Sequence, residues 1–407
     1  MKLFNVNNVK FIFSKHQLAA FFGALYLFLS MQPFFLWYLP GASLIYLIPF
    51  FVLLSYIIGE RGLIVKRNQY FIFVITFIFA FYMAVPLFGH QQLFGKLFLF
   101  APLFLFYFLS PRTLIDIFSI WKKILIFFVG YALLVYILFV FQVDMPHWKI
   151  MNSEYIPISS RSEHFYRVYG LVVSSTNTLW RIGGILTQRL CGPFAEPGHF
   201  AIYIGFTLLI DRFLGNKINI ILLIGGLLTL SPAFFIILII IVSYSILIEK
   251  KINYRFYLGV FIVIISLIIF KGSYIRDRVY YIVFERHTDL DKRAPAVVRQ
   301  RFLEILKSPN VITGVGKEKF LSFGGALSDP RGMIAKYGLI GLIMTLTLVA
   351  LLLKGVNFKY AIFLFAAVML VYLHRVWMFE STYIYTFMIL AGAAIKVKRE
   401  HACLKIC

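Results

Sequence analysis

Long uninterrupted apolar runs, rather than alternation or one-sided helical stripes, dominate this chain. They fall near 17–39, 42–59, 70–89, 93–109, 124–143, 194–214, 217–230, 232–248, 256–271, 332–353, 359–374 and 378–395. Each is of spanning length or slightly short of it, a bilayer crossing needing about 20 residues. The pattern predicts an all-α polytopic membrane protein of about twelve transmembrane helices, a single integral domain over residues 1–407. Only Leu230-Ser231-Pro232 separates the runs at 217–230 and 232–248. Two long stretches remain, 144–193 and 272–331. In the second, Val298, Phe302, Ile305 and Leu306 share one helical face flanked by Arg299 and Arg301, an amphipathic helix suited to a membrane interface. Pro309 ends it and Gly314-Val-Gly316 makes a tight turn. The first stretch has no strong periodicity. Its Trp148, Tyr155, Tyr166, Tyr169 and Trp180 either stack on sugars or anchor at the interface.

Composition agrees with this class. The chain is 61% hydrophobic and 14% charged, with a mean hydropathy of +0.86, more apolar surface than a soluble core can hide. The net charge of +23 would point to nucleic acid in a soluble protein. Here the cations sort by compartment, and no nucleic-acid partner is expected. With the N-terminus inside, cytoplasmic segments hold twenty lysines and arginines, whereas the short external connections hold Arg375 alone. That skew places both termini in the cytoplasm and both long stretches outside, as loops 144–193 and 272–331. The external loops are themselves basic, which points to an anionic ligand such as a diphosphate, or to anionic headgroups. The first apolar run is long enough to span and lacks a small-residue cleavage site, so no cleavable signal is expected. Cys191, Cys403 and Cys407 imply no disulfide or metal framework. There is no P-loop, dinucleotide fingerprint or paired metal-ligand motif, so neither a cofactor nor a metal is expected.

The most unusual stretch is Arg189-Leu-Cys-Gly-Pro-Phe-Ala-Glu-Pro-Gly-His-Phe-Ala201. It sets Arg189, Glu196 and His199 at the mouth of an apolar run. Ionisable groups at that depth line a cavity or pair with one another. Irregular backbone there, as Gly192, Pro193, Pro197 and Gly198 require, faces protein or water rather than lipid.

Several segments resemble the bacterial O-antigen and capsule repeat-unit polymerases, within a superfamily that includes O-antigen ligases. Arg189-Leu-Cys-Gly192-Pro-Phe194-Ala-Glu196-Pro197 is similar to that family's Arg-x-x-Gly-x-Phe-x-Glu-Pro segment. Leu228-Thr-Leu-Ser231 looks like its Leu-Thr-x-Ser segment. Ser308-Pro309 through Gly314-Val-Gly316 resembles its Pro-to-Gly-x-Gly turn, and Gly338-Leu-Ile-Gly341 the start of the following span. The likeness covers roughly 181–353, in the family's order. Two positions depart from it. Pro232 stands where many relatives carry arginine, and Ser328-Asp329-Pro330-Arg331 stands where ligase relatives carry His-Asn.

The resemblance implies a glycosyltransferase of the inner membrane. It would join oligosaccharide repeat units carried on undecaprenyl diphosphate at the periplasmic face, alongside a flippase and a chain-length regulator. The donor brings its own leaving group, so no ATP site is needed. The protein must stabilise charge on the diphosphate and orient, and deprotonate, an acceptor hydroxyl. On this reading Arg189 binds the diphosphate with Arg331 and one of Arg299 or Arg301, and Arg181 is a further candidate. Asp329 is the base or else a helix cap; Glu196 is the second candidate base, or holds Arg189 in place. His199 is a proton relay or a structural residue. His374, Arg375 and Glu380 flank the last external turn. The alternatives are a ligase moving the finished glycan to another acceptor, and a transporter or flippase of lipid-linked oligosaccharide.

Overall fold

A computed structural model describes residues 14–37, 39, 42–61, 67–84, 93–151, 165–175, 179–182, 185–249, 296–316, 319–320, 322, 330–375, 379–380 and 382–403. The protein is mostly helical. Its described helices begin with α1 (Lys15–Ser30), α2 (Leu47–Arg61), α3 (Arg67–Ala84), α4 (Leu93–Phe106), α5 (Pro111–Val140), α6 (Pro197–Leu214), α7 (Ile220–Leu228) and α8 (Pro232–Tyr244, running on through a π-turn at Ser245–Glu249). Within the second long stretch lie α9 (Ala296–Leu306) and α10 (Asn310–Thr313), and α11 (Pro330–Leu353), α12 (Phe358–His374) and α13 (Tyr383–Cys403) follow. Three of the described helices, Pro111–Val140, Pro232–Glu249 and Pro330–Leu353, are long and apolar enough to cross a membrane. Leu44–Glu60, Gln69–Met83, Leu97–Phe106 and Phe358–Leu373 are shorter apolar helices. The run expected at 256–271 lies outside the described residues.

The first run does not continue as one helix. α1 stops at Ser30, Gln32 takes a φ of 53°, and Phe34–Leu36 forms a 3-10 turn. The Phe34 amide there donates to the Pro193 carbonyl (2.9 Å). The α7–α8 break falls at Ser231, where Pro232 takes the first helical position because its missing N–H costs nothing there.

The described residues of the first long stretch form strands rather than helix. β1 (Trp148–Met151), β2 (Phe165–Tyr169) and β3 (Val172–Ser175) form an antiparallel sheet; β4 (Leu179–Ile182) and β5 (Ile185–Gln188) form a hairpin. Ile150, Tyr166, Val168 and Val173 share a small core with Phe34, Trp37, Cys191 and Ala195. Tyr166 and Tyr169 are therefore packed inside, neither anchoring nor offered to sugars, while Trp148 is exposed.

α6 is apolar all round and buried along nearly its whole length, the mark of a central helix. It packs on α8 and α13, and α13 also meets α5 and α11. Lipid is as apolar as leucine, so close packing rather than the hydrophobic effect drives such contacts. At Gly205 a Cβ would come within 2.9 Å of Ile237. Among the described residues the ion pairs between elements fall into two groups. His16–Asp116, Lys122–Asp211, Arg212–Glu249 and Lys398–Glu249 tie the ends of α1, α5, α6, α8 and α13 together. Glu196–Arg375 and Lys336–Glu380 join the opposite ends of α6 and α13 to α11 and α12.

Candidate functional site

The segments that stood out in the sequence meet in pairs. Arg189 follows β5 and lies against the end of α7. Its Nε donates to the Thr229 carbonyl (2.9 Å) and its Nη2 to the Leu230 carbonyl (3.0 Å), while the Leu190 amide donates to the Leu228 carbonyl (3.1 Å). Helix-terminal carbonyls have no intrahelical partner, and a cation at this end complements the helix dipole. Leu230 holds a φ of 47°, which turns its carbonyl toward the guanidinium. The Arg-x-x-Gly segment and the Leu-Thr-x-Ser segment are thus one local structure. Gly192 has a φ of 60°, and a Cβ on it would lie 2.7 Å from the Phe200 ring.

The Gly-x-Gly turn and the Gly-Leu-Ile-Gly segment form the second pair. α11 is broken at Gly338 (φ 66°, ψ −170°). The carbonyls of Ala335 and Lys336 accept from the amides of Val315 (2.9 Å) and Gly316 (3.1 Å). The Tyr337 carbonyl accepts from the Tyr82 hydroxyl (2.8 Å), which also reaches the Thr313 carbonyl (3.2 Å). Non-helical backbone inside an apolar span persists only with its polar groups satisfied by protein, and here the Gly314–Gly316 turn and Tyr82 do so. A Cβ on Gly338 would stand 2.1 Å from the Ile312 carbonyl oxygen, and one on Gly314 2.3 Å from that of Lys336.

The connection between α12 and α13 touches both pairs. Glu196 caps α6 in extended conformation (φ −138°, ψ 145°) with no capping bond from its side chain; its carbonyl accepts from the His199 amide (3.1 Å) and its carboxylate pairs with Arg375. His199 lies beside both, with Nε2 3.7 Å from Glu196 and 3.3 Å from Arg375 Nη1. The guanidinium lies over the first turn of α6, where a Cβ on Gly198 would meet Nη2 at 2.6 Å. Five residues on, Glu380 accepts from Lys336 Nζ (2.6 Å) and both side chains are buried, 5% and 7% exposed. The Tyr337 hydroxyl also bonds Glu380. Next, Tyr383 sets its ring edge-on to Tyr203 at 5.0 Å. Tyr166, on β2, completes the Glu196 side; burial pushes its phenol above the ordinary value, helped by the nearby carboxylate. It therefore stays a protonated donor.

The residues expected to act together are distributed as follows. Glu196 and His199 are adjacent, and the Glu196 carboxylate pairs with Arg375. Arg331 sits in the first turn of α11, half-buried. Asp329 lies outside the described residues. Arg181 is on β4, opposite Leu186. Arg301 is exposed and pairs with Glu304 at 2.7 Å within α9, and Arg299 is half-buried on the same helix. The apolar face of α9 differs from expectation: Val298, Phe302 and Ile305 pack on Phe320 and Ala335, leaving Leu306 exposed. Arg375 is the residue that the motifs missed, and the available signal was its isolation as a cation among the short connections expected outside. Among the described residues no cluster of three or more His, Cys, Asp or Glu side chains could hold a metal ion.

A carboxylate, an imidazole and a guanidinium at a partly exposed helix start can accept a proton and bind an oxyanion side by side. No family model, no curated protein and no solved structure matches this chain.

Proposed function

We propose that this protein is a multi-pass glycosyltransferase of the bacterial inner membrane that polymerises repeat units carried on undecaprenyl diphosphate. The Glu196–His199–Arg375 cluster carries the reading, because it gathers a base and a phosphate-binding cation at one end of an apolar helical bundle. The likeness of the Arg189–Pro197 segment to the polymerase family supports it. So does the pairwise meeting of all four family-like segments around the α12–α13 connection.

The topology proposed is about twelve spans, both termini cytoplasmic and the cluster on the periplasmic face. The two separate groups of ion pairs agree with it, since among the described residues no pair of either group joins residues expected on opposite sides. In the reaction, the bond from the donor's anomeric carbon to the diphosphate breaks and its electrons leave with the phosphate. The acceptor hydroxyl oxygen bonds that carbon, and its proton passes to a carboxylate. Glu196 is the described candidate, beside Asp329. Charge growing on the diphosphate is met by arginine, whose planar fork suits phosphate oxygens. Arg331, Arg299, Arg301 and Arg181 stand in reserve for that task. Arg189, bound to the end of α7, serves it by holding the segment that carries Glu196.

Purified protein in liposomes, supplied only with lipid-linked repeat units, tests this. Polymer ladders are the expected product. Transfer that requires a different acceptor would make it a ligase, and lipid movement without any new glycosidic bond would make it a transporter.

A further inference from the structure

We propose that Arg375 exchanges partners during turnover: it holds the Glu196 carboxylate at rest, then turns to the phosphate oxygens of an arriving lipid diphosphate. The exchange releases Glu196 to take the acceptor proton, so the base becomes available only once the donor is in place. This deepens the glycosyl-transfer reading and rests on it.

The first support is the position of the charge. Positive-inside bias opposes cations in short external connections, and Arg375 is the one such residue there. The second is accessibility. The Arg375 and Glu196 side chains are each 26% exposed, whereas Lys336 and Glu380 are 5% and 7% exposed. Of the two described pairs at this end of the bundle, the first is the one within reach of a ligand from solvent. The third is donor capacity. A guanidinium has five N–H donors in a fixed fork, and a diphosphate offers more charge and more paired oxygens than one carboxylate. The fourth is the floor of the site. Gly198 leaves the guanidinium room to lie on the first turn of α6, and Arg375 leaves the end of α12 in a non-helical conformation (φ −151°, ψ 59°). Charged and titratable neighbours among the described residues include His199, which touches both partners, Tyr166 beside Glu196, and Tyr203 beside Arg375.

In the released state the acceptor hydroxyl proton moves to a Glu196 oxygen as the new bond to the anomeric carbon forms. The old bond's electrons stay on the diphosphate. No further reactant is needed for the step to balance.

Binding of undecaprenyl diphosphate, which carries no glycan and cannot react, isolates the exchange. It is measured with the purified full chain in lipid nanodiscs. Removing the competing carboxylate frees the cation, so Glu196→Gln is expected to bind about three- to tenfold tighter than wild type. Arg375→Ala is expected to bind weaker, and Glu196→Gln with Arg375→Ala is expected to match Arg375→Ala alone. Glu196→Ala repeats the test should the glutamine variant fail to fold. Equal or weaker binding by both folded Glu196 variants overturns the exchange, as does a gain that survives in the double variant. If wild type binds no undecaprenyl diphosphate, the lipid-diphosphate reading itself falls, and that result is distinguishable from the other two.

Discussion

Removing the Glu380 carboxylate should cost far more than removing the whole ion pair of which it is half. Lys336 Nζ lies 2.6 Å from Glu380, and both side chains are almost fully buried beside the α11 break. Glu380→Ala leaves an ammonium among Tyr337 and the core of α11 with its carboxylate gone. Stranding one member of a buried pair typically costs about 3–5 kcal/mol. Replacing both members by apolar residues of similar size is often neutral, or stabilising by about 1–4 kcal/mol. The comparison is therefore between Glu380→Ala and the combined Lys336→Met, Glu380→Leu protein. Thermal unfolding of each in detergent, followed by tryptophan fluorescence, should show a large drop in Tm for the single variant and near-wild-type Tm for the double. Equal drops in both would refute the stranded ammonium as the source of the loss.

Other consequences can be tested in parallel. Gly338→Ala puts a methyl group 2.1 Å from a backbone oxygen at a φ of 66°, so folded yield should collapse; Gly355→Ala, with open space around it, should be indistinguishable from wild type. Arg189→Ala loses two charge-assisted bonds to helix-end carbonyls, each worth about 1.5–3 kcal/mol, and should lower Tm without abolishing lipid-diphosphate binding. In a cysteine-free background, Glu304→Cys should react with a membrane-impermeant maleimide from outside intact spheroplasts and Gly355→Cys only after lysis; the reverse pattern would invert the topology.

The helical elements were legible because apolar runs and proline positions are local properties. The α7–α8 break at Ser231-Pro232 and the buried face of Val298, Phe302 and Ile305 both follow from residue order alone. What covers that face was not legible: Phe320 and Ala335 come from elements that only the fold brings near. The strands of the first loop left a trace in Tyr166-Arg-Val168, whose alternation matches one buried face, but four- and five-residue strands give little signal among so many aromatics. The site was legible in its parts. Arg189, Glu196 and His199 stood out by charge in an apolar setting. Their partners did not, because Arg189 binds carbonyls exposed by the turn at Leu230, and Arg375 reaches Glu196 across 179 residues. The sequence did mark Arg375 as a cation on the side where the charge pattern expects none, which is a statement about energy rather than contact.

The central claim is bond formation between lipid-linked sugars at this cluster. Its most direct test is a time course of glycan length, made by purified wild type and by Glu196→Ala with lipid-linked repeat units as the sole substrate. Wild type should build a ladder, and the variant should build none while still binding undecaprenyl diphosphate. An undiminished ladder from the variant, or none from wild type, would contradict it.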